Sequence, residues 1–223
     1  MTIIDILIDA NCLKNKQRNM IPKIIHYCWF GGKPMPELAL KCIESWKKFL
    51  PEYELRLWNE DTFDINSVPY VKEAYEARKF AFVTDYMRLW ALEREGGVYM
   101  DTDVEILRPL DDLMHLPAFT GYEASMSNAP VTGLMASAPH GVWVTEQLAY
   151  YDENRHFRME DGTLDMTPNT QTIAKIMVES DDRAVQSGID FDKLALHLQA
   201  FYPDGIKPGK TYPWRGNAEE IAQ

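Results

Sequence analysis

Hydrophobic and polar positions along the first half of the chain alternate with two different periods, and each period predicts an element. IIHYCWF at 24–30 is a β-branched and aromatic run ended by Gly31-Gly32, the pattern of a buried strand followed by a tight turn. ELALKCIESWKKFLP then places Leu38, Cys42, Ile43 and Trp46 at helical spacing and stops before Pro51. YELRLWN at 53–59 alternates as a second strand, and Pro69 to Glu95 is helical in pattern, in two pieces that break near Phe80. GGVYM at 96–100 predicts a third strand, because paired glycines let a helix stop and a strand begin without side-chain bulk. Farther on come a helix end at Leu113 to Pro117, strands in AFTGYEA and VTGLMAS, and a helix from Trp143 to about Tyr151. FYPDGIKPGKTYPWRGN, from Phe201, is rich in turn formers and predicts irregular chain.

Strands alternating with helices at these lengths predict an α/β fold with a mostly parallel central sheet and helices on both faces. In such sheets ligands bind beyond the carboxyl ends of the strands, where Trp29 and Asp101 stand. The 223 residues suit one core, expected over 20–223, with residues 1–19 as an N-terminal extension. That extension puts an acidic residue in a short apolar run and basic residues after it, the reverse of a secretory signal.

Charge removes one class of partner. A formal net charge of −11 leaves no basic face to neutralise nucleic-acid phosphates. No run of eighteen apolar residues exists, so no spanning helix is expected. The three cysteines, Cys12, Cys28 and Cys42, have neither metal-ligand nor redox spacing, which points to a reduced, cytoplasmic compartment without disulfides.

The candidate chemistry lies in FAFVTDYMRLWALEREGGVYMDTD. Asp101 and Asp103 would point to opposite faces of a continuing strand, but a turn after Met100 could bring both toward one hard cation. Two close carboxylates repel each other, and a divalent ion relieves that repulsion. Magnesium or manganese held this way completes its shell with water and phosphate, so a diphosphate is the natural partner. A D-x-D triplet alone is weak evidence, since solvated loop aspartates form it by chance. Asp85 and Arg88, three apart on an apolar helix, read either as a surface ion pair or as buried charges suited to a sugar hydroxyl and a phosphate. Trp29 reads either as a core residue or as a flat surface for a nucleobase.

Taken in order, IPKIIHYCWFGG, SWKKFLPEYELRLWNED and YVKEAYEARKFAFVTDYMRLWALEREGGVYMDTDVEILRPLDDL resemble glycosyltransferase family 32, the D-x-D group that includes capsular polysaccharide and Och1-like transferases. The match is close over about residues 21–115. The resemblance implies a GT-A-type fold with a nucleotide-binding part over about 20–115 and an acceptor-side part over about 116–223. It implies a retaining hexosyltransferase that uses Mn2+ or Mg2+ and a nucleotide-diphospho-sugar, with a UDP-sugar as the expected donor, for surface or capsular polysaccharide synthesis. By the same resemblance Asp103 ligates the metal, and Asp101 touches the sugar or ribose and the ion's water. Asp85 and Arg88 hold the donor sugar, Trp29 stacks on the base and Tyr99 lines the pocket. No enzymatic nucleophile is implied. Asn169, Gln171 and Thr172 fall where an acceptor-side loop is expected. A glycan or lipid-linked glycan acceptor would place the protein peripherally at the inner membrane face. Many relatives continue to a histidine-rich stretch closing with a Ser-Trp pair; this sequence ends at RGNAEEIAQ without it, Trp214 is no clear substitute and His197 reads as structural. A catalytically lapsed sugar-nucleotide-binding protein and a nucleotide-sugar hydrolase are therefore the alternatives.

Overall fold

The computed structural model describes residues 20–122, 130–151, 155–169, 172 and 214–216. The N-terminal segment with Cys12, and also Gln171 and His197, lie outside them. The elements follow the periodicity closely. Strand β1 is Ile24–Cys28, helix α1 Glu37–Phe49, strand β2 Glu54–Trp58, helix α2 Pro69–Glu76, helix α3 Phe80–Glu95 and strand β3 Gly97–Met100. After them come β4 (Val104–Ile106), β5 (Ala118–Tyr122), β6 (Pro130–Ser137), helix α4 (Val142–Ala149) and β7 (Trp214–Gly216). Where a helix end was expected at Leu113 to Pro117, a single 3-10 turn forms over Asp111–Leu113.

The five-stranded sheet has the order β2-β1-β3-β6-β5. β2, β1 and β3 run parallel, as two strand–helix–strand crossovers require. β6 returns antiparallel to β3 and pairs antiparallel with β5, so the sheet is mixed, parallel across β2, β1 and β3 and antiparallel beyond them. β4 and β7 form a separate antiparallel pair, with Val104 opposite Gly216 and Ile106 opposite Trp214. The expected irregular tail thus contains a strand, tied to the segment just beyond the two aspartates.

Successive side chains of each strand point to opposite faces, and the core divides accordingly. On one face Cys28, Trp58, Tyr99 and Met135 meet α2, α3 and α4; on the other Ile25, Val98, Met100 and Ala136 meet α1. Helix α1 presents Ala39, Cys42, Ile43 and Trp46 to the sheet, one stripe of a 3.6-residue period. The indole N–H of Trp46 donates to the Val104 carbonyl at 2.7 Å, and the Ser45 hydroxyl accepts the Ile106 amide at 2.9 Å. These bonds hold β4, and with it the D-x-D turn, against α1.

Helix α3 buries Val83, the run Asp85 to Leu89, Ala91 and Leu92, so its middle lies inside the molecule. It ends at Gly96, and the chain reverses into β3 through two positive-φ glycines, Gly96 at 64° and Gly97 at 110°. A Cβ on Gly97 would stand 2.7 Å from the Ile24 carbonyl oxygen, so the turn needs glycine for space as well as for conformation. Because α3 runs back over the sheet, its N-terminal half lies at the carboxyl ends of β1 and β3.

Candidate active site

At that end of the sheet four of the expected residues converge. Arg88 is 4% exposed, and its Nη1 donates to the Thr132 carbonyl at 2.5 Å. Its Nη2 reaches Asp85 at 3.1 Å and Asp101 at 3.4 Å. The guanidinium also sits over the Tyr99 ring, 4.6 Å from its centre. Tyr99 donates its hydroxyl proton to Asp101 at 2.7 Å and is fully buried, so it supports Arg88 and Asp101 from beneath. Asp85 and Arg88 are therefore an ion pair inside the molecule, not on its surface.

The D-x-D segment leaves the sheet in a tight turn. Asp101 still donates its amide to the Gly133 carbonyl at 2.8 Å, and its own carbonyl then accepts the Val104 amide at 3.0 Å. This is the turn after Met100 that the sequence suggested. Asp103, at its third position, is half-buried. Burial raises its carboxyl above the ordinary carboxylate range, and the charge of Asp101 adds to the rise. Burial also pushes Asp85 up to about 6, against the pull of Arg88 and with a further push from Asp101. One guanidinium thus faces three carboxylates, two of which are raised.

Trp29 follows Cys28 at the end of β1. Burial raises the pKa of the Cys28 thiol, which lies beside Tyr99. Trp29 itself is half-buried: its amide donates to the Trp58 carbonyl at 2.9 Å and its indole N–H to the Lys33 carbonyl at 2.6 Å. The indole is thus held by its own loop, outside the packed core.

Asn169, expected on the acceptor side, is 4% exposed and lies against Asp85, to which its backbone N–H donates. Its Nδ2 is buried without a hydrogen-bond partner among the described residues. Thr172 is also buried. Tyr70 and Tyr151, edge-to-face at 4.9 Å, are raised chiefly by burial and also feel the charge of Asp85. Sequence reasoning missed these two tyrosines, Cys28 and the Thr132 carbonyl, since buried aromatics and backbone oxygens carry no motif.

Asp101 and Asp103 by themselves do not make a closed structural metal site, and the neighbouring Asp85 is paired with Arg88. No group of three such ligands occurs among the described residues. Asp101 and Asp103 do fit an open magnesium or manganese site whose remaining ligands come from phosphate and water.

Residues 36–120 match the family model for the glycosyltransferase sugar-binding region containing DXD motif. The chain is 30% identical over 149 residues to inositol phosphoceramide mannosyltransferase 3 of Schizosaccharomyces pombe, an alignment covering 64% of this chain and 41% of that protein. It is 28% identical over 204 residues to a glycosyltransferase of Acanthamoeba polyphaga mimivirus, covering 87% of this chain and 78% of the relative. The chain thus spans about two fifths of the fungal relative's length. Among solved structures, the PaToxG glycosyltransferase superposes with a TM-score of 0.54 at 15% identity, over 94% of this chain and 88% of that one. The fold is of the GT-A type.

Proposed function

For a chain whose residues 36–120 form a DXD sugar-binding region of the glycosyltransferase family 32 kind, we propose transfer of a sugar from a nucleotide-diphospho-sugar to a glycan acceptor, with retention of anomeric configuration. The observation that carries this reading is the convergence of the buried Asp85–Arg88 pair with the half-buried Asp101 in one salt-linked group beside Asp103 at the sheet's carboxyl end. A hexose is the transferred sugar, and the mannosyltransferase name of the fungal relative favours mannose. A UDP-sugar is the donor that the family resemblance favours, and surface polysaccharide assembly the setting.

In this reading Asp101 and Asp103 would hold Mg2+ or Mn2+ together with the donor's phosphates. When bound, the cation supplies charge stabilisation to the departing nucleoside diphosphate. The protein's own part is orientation. Arg88, locked by Thr132 and Tyr99, keeps a fixed cation at the sugar–phosphate junction. Asp85, ionised above about pH 6, accepts hydrogen bonds from sugar hydroxyls. The Tyr99 hydroxyl fixes the Asp101 carboxylate, and the Trp29 indole offers a face to the base. No side chain is assigned as nucleophile; placement of donor and acceptor carries the rate.

Thermal-shift titration with UDP-, GDP- and ADP-sugars, with and without manganese, tests the reading. Stabilisation by one nucleotide series that depends on metal is expected, and no shift with any nucleotide would sink it. Product analysis then separates three outcomes: a glycosylated acceptor, free sugar from a hydrolase, or binding without turnover in a lapsed enzyme.

A further inference from the structure

Glu60, two residues beyond β2, gathers three distant parts of the chain at one oxygen. Its Oε1 accepts the Gly31 amide at 2.6 Å and the Tyr75 hydroxyl at 2.9 Å. Gly31 belongs to the loop after β1, and Tyr75 lies near the end of α2. Gly31 has φ 96°, and Phe80, the first residue of α3, roofs it so closely that a Cβ would stand 2.5 Å from the ring. Phe80 in turn packs on Tyr75, with ring centres 5.4 Å apart. The turn Gly31-Gly32 is thereby clamped between the loop after β2 and the corner from which α3 begins.

Trp29 is the residue this clamp controls. Its indole N–H crosses the glycine turn to the Lys33 carbonyl, so the plane of the ring moves with the turn. The turn itself has little stiffness of its own, because both glycines adopt positive φ and neither carries a side chain to pack. Gly32 has nothing within 4 Å of the position its Cβ would take. A carboxylate accepting a backbone amide and a phenol makes strong, directional bonds, which supply the missing stiffness. Although burial raises it, the Glu60 carboxyl is held below its ordinary range by the Gly31 amide, its own amide and Tyr75.

We propose that Glu60 is a positioning residue for nucleotide binding: it fixes the Gly31-Gly32 turn so that Trp29 presents its ring to the base, in register with Asp85 and Arg88 on α3. This rests on the reading of Trp29 as the base platform. It also explains why one oxygen binds both Gly31 and Tyr75, since the base end and the sugar end of the site would otherwise be held by separate elements.

The test is a double-mutant cycle read by calorimetric titration with UDP and manganese, or GDP where the thermal screen selects it. Trp29→Ala is expected to weaken binding at least tenfold, in the range of lost base stacking. Glu60→Ala should weaken it by a similar factor, Tyr75→Phe by roughly threefold, and Glu60→Gln, which keeps an acceptor oxygen, should restore most of the affinity. In the Trp29→Ala background, Glu60→Ala should cost nothing further, because it acts through the missing ring. In turnover assays the donor KM rises while kcat at saturating donor stays near that of the parent protein. Full additivity of the two losses, or a fall in kcat without a change in KM, overturns the proposal. If Glu60→Ala does not fold, the same cycle with Tyr75→Phe decides. A normal affinity for Glu60→Ala beside a weakened Trp29→Ala overturns the positioning role alone. A normal affinity for Trp29→Ala overturns the base-platform reading as well.

Discussion

The two ends of helix α3 each bury a polar cluster, and their charges are balanced in opposite ways. At the C-terminal end His26 is fully buried between Trp58 and Gly96. The Trp58 indole can only donate, so Nδ1 accepts it at 3.1 Å and Nε2 carries the proton given to the Gly96 carbonyl at 2.8 Å. Burial holds this imidazole below its ordinary pKa, and nearby Glu95 is paired with Arg56. Each group there finds its partner within the fold. At the N-terminal end Arg88 stands against Asp85, Asp101 and Asp103, and two of those carboxyls are raised by burial and by Asp101. A cluster that closes on itself supports the fold, whereas one left with surplus negative charge is completed from outside, which is the electrostatic mark of a ligand site.

The largest blow to this comparison is Arg88→Met. It strands Asp85 and Asp101 without their cation and frees the Thr132 carbonyl, so unfolding free energy should drop by about 3–5 kcal/mol, as when one partner of a buried pair is removed. Urea unfolding measures it, and a wild-type midpoint would show that the pair is not buried. Next comes Asp103→Asn, for which stability and function should part company. Metal-dependent turnover should fall roughly 100-fold or more. Melting temperature without metal should hold or rise, because the ionised carboxylate is disfavoured in the folded protein and the amide carries no charge. Full activity in that variant would remove Asp103 from the site.

Much of this was legible in the sequence, and the reasons differ by residue. Helix α1 announces itself through Cys42, Ile43 and Trp46 at helical spacing and through Pro51; the α2–α3 break near Phe80 and the Gly96-Gly97 reversal are equally local signals. Asp85, Arg88, Asp101 and Asp103 stood out because charges in an apolar stretch demand an explanation. The direction of β5 and β6 did not, since alternation is the same in parallel and antiparallel strands. β7 is three residues long and owes its existence to β4, more than a hundred residues earlier in the chain, so the window around Pro213 reads only as turn formers. The contribution of Thr132 is a carbonyl and that of Asn169 to Asp85 a backbone N–H, groups that nearly any residue could supply.

The pH dependence of stability separates the two ends by sign. Asp85, raised from 3.8 to about 6, holds its proton more tightly folded than unfolded, so its contribution is complete below 3.8 and is lost as pH rises through about 6. His26, lowered from 6.5, behaves in the opposite sense: its contribution is present above 6.5 and is lost as pH falls through the depressed folded value. Trp58→Phe isolates the second effect. It removes the N–H facing Nδ1, leaving a buried acceptor unmatched, and should cost about 1–2 kcal/mol at pH 7. It also removes the donor that a proton on Nδ1 would have to confront, so His26 charges more easily and the acid loss of stability should be shallower than in the parent protein. Nucleotide affinity at pH 7 should change little, because Trp58 meets the Trp29 amide through its backbone carbonyl, which the substitution keeps. Equal acid slopes in the two proteins would mean that His26 does not govern this limb of the curve, and the contrast between the two clusters would then rest on the carboxylates alone.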